Sequence, residues 1–181
     1  MARIELWNGD ICDLEVDAIV NAATVSLWMA TGVGGAIKRA GGDEIELAAV
    51  RQAPVTLGES IVTPSGRLAA RAVIHAVSLD RDRRTSAAAI EAAVRSAMAR
   101  AGEINATSVA FPALGTGVGG FPLDESARIT VRTVREELPA WATIEHVVFA
   151  LRGAAAYQAF QAALAEPAGE PVPAVDRPVA R

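Results

Sequence analysis

Short apolar runs recur along the chain at residues 4–7, 18–20, 60–63, 72–77, 108–111 and 146–151, several of them rich in β-branched residues. Runs of this length and composition predict buried strands. Helix-like segments lie between and after them, at about 34–40, 43–51, 86–101, 124–138 and 154–165. Ser86 is placed to cap the long middle helix and Gly102 to follow its last turn as the C′ residue. From residue 72 onward the order is strand, helix, strand, helix, strand, helix, which demands crossover connections and hence parallel pairing. The first third begins strand, strand, helix. The pattern predicts an α/β fold, a three-layer α/β/α sandwich around a mixed, largely parallel sheet. One domain is expected over residues 1–165, followed by a disordered tail at 166–181 that combines repeated proline with charge and no periodicity.

Composition narrows the function classes. The 181 residues suffice for one sizeable core, and the apolar fraction of 51% supports a globular fold. Aromatics are only 4%, so a flat ligand would find few stacking partners. A net charge of −4 supplies no overall field for nonspecific nucleic-acid binding or for an anionic membrane. The single cysteine, Cys12, has no internal disulfide partner, and no run is long enough for a signal peptide or a bilayer span. These features point to a cytoplasmic protein. The two histidines, His75 and His146, fall on different predicted strands, so neither a metal site nor a bound cofactor is expected.

The pentapeptide Thr-Gly-Val-Gly-Gly occurs twice, at residues 31–35 and 116–120, each time between an apolar stretch and a helix-like one. Glycine admits positive φ and lets backbone N–H groups approach a ligand, and a helix start presents unpaired donors. Such loops suit phosphate, and two of them suit a diphosphate. Tight turns between packed elements are the plainer alternative.

Other phosphate and nucleophile motifs fit less well. Gly115-x-Gly117-x-x-Gly120 matches a dinucleotide fingerprint after a predicted strand, but only one more strand follows and it ends in Leu151-Arg152 with no acidic ribose ligand. An NAD-dependent dehydrogenase is therefore a remote alternative. Lys38 lies three residues past Gly35 and no Gly-Lys-Ser/Thr is present, so a P-loop is excluded. No Gly-x-Ser-x-Gly elbow exists, and Cys12 beside Ile11 and Leu14 reads as a packing residue. Asp10 and Asn21 are polar residues at strand ends, where ligands sit in α/β sheets, although a turn or cap role is equally open to Asp10 and Asn21 could simply tie down its own loop.

Taken together, Gly9-Asp10-Ile11, Val16-Asp17-Ala18-Ile19-Val20-Asn21-Ala22-Ala23, Gly32-Val33-Gly34-Gly35-Ala36-Ile37, Val73-Ile74-His75-Ala76-Val77 and Ala110-Phe111-Pro112-Ala113-Leu114-Gly115-Thr116-Gly117-Val118-Gly119-Gly120 resemble a macrodomain of the bacterial stand-alone type. The resemblance covers about residues 3–165. It implies a cleft for ADP-ribose, free or carried on a macromolecule or an acetyl group. It assigns Asp10 to the adenine amine and the Ile11 N–H to a ring nitrogen. Thr31, Gly32, Val33, Gly34 and Gly35 would pass the distal ribose and diphosphate, with Gly115, Thr116, Gly117, Val118, Gly119 and Gly120 facing the phosphates from the other side. Asn21 would lie near the distal ribose, and Leu151 would give the adenine an apolar contact where some relatives use an aromatic.

Departures from the hydrolytic branch bear on activity. Thr24 stands where that branch has a second asparagine, and Gly34 where it carries an aspartate linked to water activation. Glycine has no group to orient or deprotonate a water. Gly119 replaces a frequent aromatic over the distal ribose, for which Phe121 is the nearest substitute. The expectation is an ADP-ribose binder; the alternative is a hydrolase of ADP-ribosyl or O-acetyl-ADP-ribose esters whose substrate positions the water. No catalytic residue is assigned, and the oligomeric state is left open.

Overall fold

The computed structural model describes residues 2–167. In chain order the elements are β1 (Arg3–Asn8), a 3₁₀ turn (Ile11–Asp13), β2 (Ala18–Thr24), α1 (Gly32–Gly41), α2 (Asp43–Val50), β3 (Ser60–Pro64), β4 (Ala72–Leu79), α3 (Ala87–Glu103), β5 (Ser108–Phe111), α4 (Leu123–Glu137), a second 3₁₀ turn (Leu138–Ala140), β6 (His146–Leu151) and α5 (Ala154–Ala165). One six-stranded sheet has the order β1-β6-β5-β2-β4-β3. Every pairing is parallel except that of β3 with β4. The expected mixed α/β/α architecture is therefore what the chain adopts.

Strand alternation divides the core between the two faces. Val20, Ile74, Val109, Phe111 and Phe149 point toward α3, α4 and α5, where Phe149 packs between Phe111 and Phe160 with ring centroids 6.4 and 5.1 Å away. Ile19, Val73, Ala110 and Val148 point the other way, under Ile37 of α1 and Ile45 of α2. Burying each such large side chain contributes about 1.5–3 kcal/mol, and the short Ala-rich helices let the layers approach closely.

Ser86 caps α3 as expected, its Oγ accepting from the Ala89 N–H at 3.1 Å. Gly102 does not end that helix. The helix runs on to Glu103, and the left-handed residue beyond it is Asn105, with φ 54°. Gly102 is needed for close approach instead, because a Cβ there would come within 2.1 Å of the Trp141 ring. The proline-rich tail expected at 166–181 lies, from residue 168 on, outside the described residues.

Candidate functional site

Because β1, β2, β4, β5 and β6 run parallel, their C-terminal ends share one edge of the sheet, the place where open α/β sheets hold ligands. A cavity of about 460 Å³ opens there. Gly9, Asp10 and Ile11 follow β1, Pro112 and Ala113 follow β5, and Leu151 ends β6 with Arg152 just beyond it; Gly32, Val33, Ala36 and Arg39 of α1 form the facing wall. A second hollow of about 180 Å³ continues it, sharing Gly32, Val33, Pro112, Ala113 and Thr116 and adding Ala22, Thr31, Leu79, Gly115, Gly117, Val118 and Gly119. The two copies of the pentapeptide, far apart in sequence, thus line opposite walls of one elongated cleft.

The copies differ in conformation. The first is the start of α1, with Thr31 as an extended N-cap whose hydroxyl makes no cap bond. Gly35 N–H reaches Thr31 C=O at 3.0 Å, while the N–H groups of Gly32, Val33 and Gly34 belong to the first turn, whose donors lack intrahelical acceptors. Gly32 has φ +61°. The second copy, also expected to open a helix, does not. It is a turn closed by Gly120 N–H to Gly117 C=O at 3.1 Å and Phe121 N–H to Gly115 C=O at 3.0 Å, and α4 begins only after Pro122. Proline has no N–H to offer at that start. Among the described residues, the N–H groups of Thr116, Gly117, Val118 and Gly119 donate to no backbone carbonyl. Nothing lies within 4 Å of where a Gly117 Cβ would stand, whereas a Gly119 Cβ would come within 2.6 Å of Gly115 C=O. The turn is tight at Gly119 and open at Gly117.

At the other end of the cleft, Asp10 Oδ1 accepts from the Cys12 N–H at 3.0 Å, and Oδ2 accepts from Arg152. Partial burial disfavours the Asp10 carboxylate, but the Cys12 and Arg152 contacts outweigh it and hold the carboxyl below its usual range. Ile11 N–H opens the 3₁₀ turn and donates to no backbone carbonyl. Burial, then Asp10 and Asp13, push the Cys12 thiol up to about 12, which favours its protonated form.

Asn21 and Thr24 lie within β2, which extends further than its apolar run. Asn21 is buried and paired in register with His75 of β4. Its Nδ2 donates to His75 Nδ1 at 3.1 Å, which leaves the His75 Nε2–H to donate to Thr63 Oγ1 at 2.9 Å, and Thr63 donates onward to Pro64 C=O. Asn21 Oδ1 has no hydrogen-bond partner and faces α1, where a Cβ on Gly34 would lie 3.1 Å from it. Thr24 Oγ1 pairs with Ser26 Oγ at 3.0 Å. The segment leading into α1 is anchored by the buried Glu46, which accepts from Met29 N–H at 2.7 Å and Lys38 Nζ at 2.6 Å.

Burial holds the His75 imidazole at about 4, below its ordinary value of 6.5. A folded-state value below the unfolded one means that the unfolded chain binds the proton first, so stability falls as pH drops below 6.5 and stops falling below about 4. We expect His75 to contribute a loss of about 2 kcal/mol between pH 7 and pH 5. Urea midpoints at the two pH values should show it, and His75→Asn should remove most of the difference; an unchanged slope in the variant would contradict the assignment.

The structure thus gathers Asp10, Ile11, Thr31, Gly32, Val33, Gly115, Thr116, Gly117, Val118, Gly119 and Leu151 around the cleft. Asn21, Thr24, Gly34, Gly35, Gly120 and Phe121 are not among its lining residues; Phe121 packs on the core beneath α3 and α4. Leu151 is 1% exposed and sits in that same core, so the group presented at this corner is Arg152. Sequence reasoning missed Arg152 and Arg39. Arg39 shares a helical face with Gly32 and Ala36, at spacings of seven and three, and Arg152 follows a strand end; both signals were available.

The family model for the Macro domain matches residues 20–130, more than half of the chain. An uncharacterised protein of Mycobacterium tuberculosis is 44% identical over 164 residues, covering 91% of this chain but 45% of its own, so the chain spans about half the length of that relative. The O-acetyl-ADP-ribose deacetylase of Salmonella typhimurium is 40% identical over 154 residues, 82% of this chain and 86% of that one. The structure of a Trypanosoma brucei macrodomain in complex with ADP-ribose superposes with a TM-score of 0.82 at 28% identity, over 89% of this chain and 68% of that one. With the family model, the sheet order and the strand-end cleft in agreement, this chain belongs to the macro domain family.

Proposed function

We propose that the chain binds ADP-ribose, free or attached to a carrier, along the cleft at the C-terminal edge of the sheet. One observation carries the reading. Two separate loops whose backbone N–H groups lack backbone acceptors line one elongated cleft, and a carboxylate lines it as well. The loops have the donors that a diphosphate needs without a fixed positive charge, and Asp10 with the Ile11 N–H has the acceptor and donor that complement an adenine edge. The ADP-ribose complex of the Trypanosoma brucei relative supports this assignment. A single thiol, Cys12, suits a reducing compartment such as the cytoplasm.

Asp10→Ala tests the base end. Removing a charged acceptor should weaken ADP-ribose binding about tenfold or more, in line with about 1.5–3 kcal/mol for a hydrogen bond to a charged group. Affinity for a base-free ribose pyrophosphate should stay unchanged. Equal losses for both ligands in calorimetric titrations would show that Asp10 acts on the fold of the site rather than on the base.

A second reading, hydrolysis of O-acetyl-ADP-ribose or of ADP-ribosyl esters, is favoured by the 40% identity to the Salmonella deacetylase. Against it stands the bare α1 start, where Gly34 has no side chain to activate a water and the neighbouring Asn21 has its Nδ2 engaged by His75.

A further inference from the structure

The base end of the cleft is more than a carboxylate. Both Asp10 oxygens are engaged, Oδ1 by the Cys12 N–H and Oδ2 by Arg152, and Asp10, Ile11 and Arg152 line the same cavity. The Arg152 side chain is 68% exposed, so it is free to turn about its own bonds. Its backbone is less free, because the next residue, Gly153, takes φ +87° and its N–H donates to Asn8 Oδ1 at 3.3 Å. A carboxylate alone accepts hydrogen bonds and repels a carbonyl oxygen; a guanidinium beside it offers N–H donors that a carbonyl accepts.

We propose that Asp10 and Arg152 act as a paired acceptor and donor that lets this cleft take 6-oxopurine nucleoside diphosphates as well as adenine ones, that of hypoxanthine in preference to that of guanine. The inference rests on the reading of the cavity as a nucleotide cleft. With adenine, the exocyclic amine donates to Asp10. With hypoxanthine or guanine, the base moves one position along its edge: N1–H donates to Asp10, O6 accepts from Arg152, which gives up part of its contact with the carboxylate, and the Ile11 N–H then faces C2, where hypoxanthine carries only hydrogen and guanine a second donor. Without the guanidinium, O6 would face a carboxylate with nothing to donate to it, and such an unpaired polar group is what makes a site reject a base. The carboxylate–guanidinium combination complements the O6 and N1–H pair, and the Ile11 N–H disfavours the guanine amine relative to hypoxanthine.

The test is calorimetric titration of ADP, GDP and IDP into the full chain and into Arg152→Ala and Arg152→Lys. In the unaltered chain IDP should bind within about tenfold of ADP, and GDP more weakly than IDP. Arg152→Ala should weaken GDP and IDP at least about tenfold more than it weakens ADP, and Arg152→Lys, which keeps a donor, should recover part of the difference. A preference for ADP over IDP above about 100-fold in the unaltered chain would overturn the proposal. So would equal losses for all three nucleotides in Arg152→Ala, since Arg152 would then only hold the carboxylate. Binding of ADP-ribose with exclusion of GDP and IDP leaves the nucleotide reading standing and removes this one alone; failure of ADP-ribose as well removes both.

Discussion

Gly117→Glu is expected to weaken ADP-ribose binding by at least about 100-fold, equivalent to about 2.7 kcal/mol, while leaving the melting temperature unchanged. The size of the effect follows from where the residue sits. Gly117 lies in the second glycine turn on the wall of the cleft, between the unspent N–H groups of Thr116 and Val118. A glutamate there sets a negative charge and a side chain in the path of a diphosphate held by backbone dipoles. The fold should not suffer, because a Cβ at Gly117 meets nothing within 4 Å and the backbone does not take positive φ there. Titration paired with thermal unfolding separates the two effects. Equal affinity in variant and parent would show that the turn does not face the phosphates.

Gly34→Asp carries the other large expectation, a rise of about 100-fold or more in release of ADP-ribose from a carboxylate-modified protein, within the usual reach of general-base catalysis. The position is confined, since a Cβ on Gly34 stands 3.1 Å from the partnerless Asn21 Oδ1 and must move it by a few tenths of an ångström. An aspartate would also bring a carboxylate toward that carbonyl oxygen. The short contact is relieved by a small shift of the Asn21 side chain, and rotation of its amide removes the repulsion. Nδ2 then faces the new carboxylate, Oδ1 accepts from His75 Nδ1–H, and Thr63 turns its hydroxyl toward Nε2, each group keeping a partner by a change of tautomer. Single-turnover release assays on parent and variant should show the difference. Ready release by the unaltered chain would contradict the view that a bare α1 start limits it to binding.

Why some of this was readable in the sequence and some was not comes down to particular residues. The strand and helix periods were strong wherever β-branched runs or alanine-rich repeats continued, and the crossover order made the sheet parallel. β2 was read short because Asn21-Ala22-Ala23 has weak strand propensity; pairing with β4, including the buried Asn21–His75 contact, overrides it. Gly102 resembled a helix terminator because local sequence does not reveal the Trp141 ring that demands its bare Cα. The repeated pentapeptide suggested two equivalent loops. Pro122 and the bonds from Gly120 and Phe121 make the second a closed turn, whereas the first continues directly into α1. Arg152 is one exposed arginine among many in the sequence, and only the ends of β1 and β6, adjacent across the sheet, bring it onto Asp10.

Calorimetric titration of ADP-ribose into the full chain tests the central claim most directly. A single site per chain with micromolar or tighter affinity is the predicted result, about −8 kcal/mol or more favourable. No heat of binding with ADP-ribose up to millimolar concentrations would contradict it, and with it the assignment of both glycine segments to a ligand.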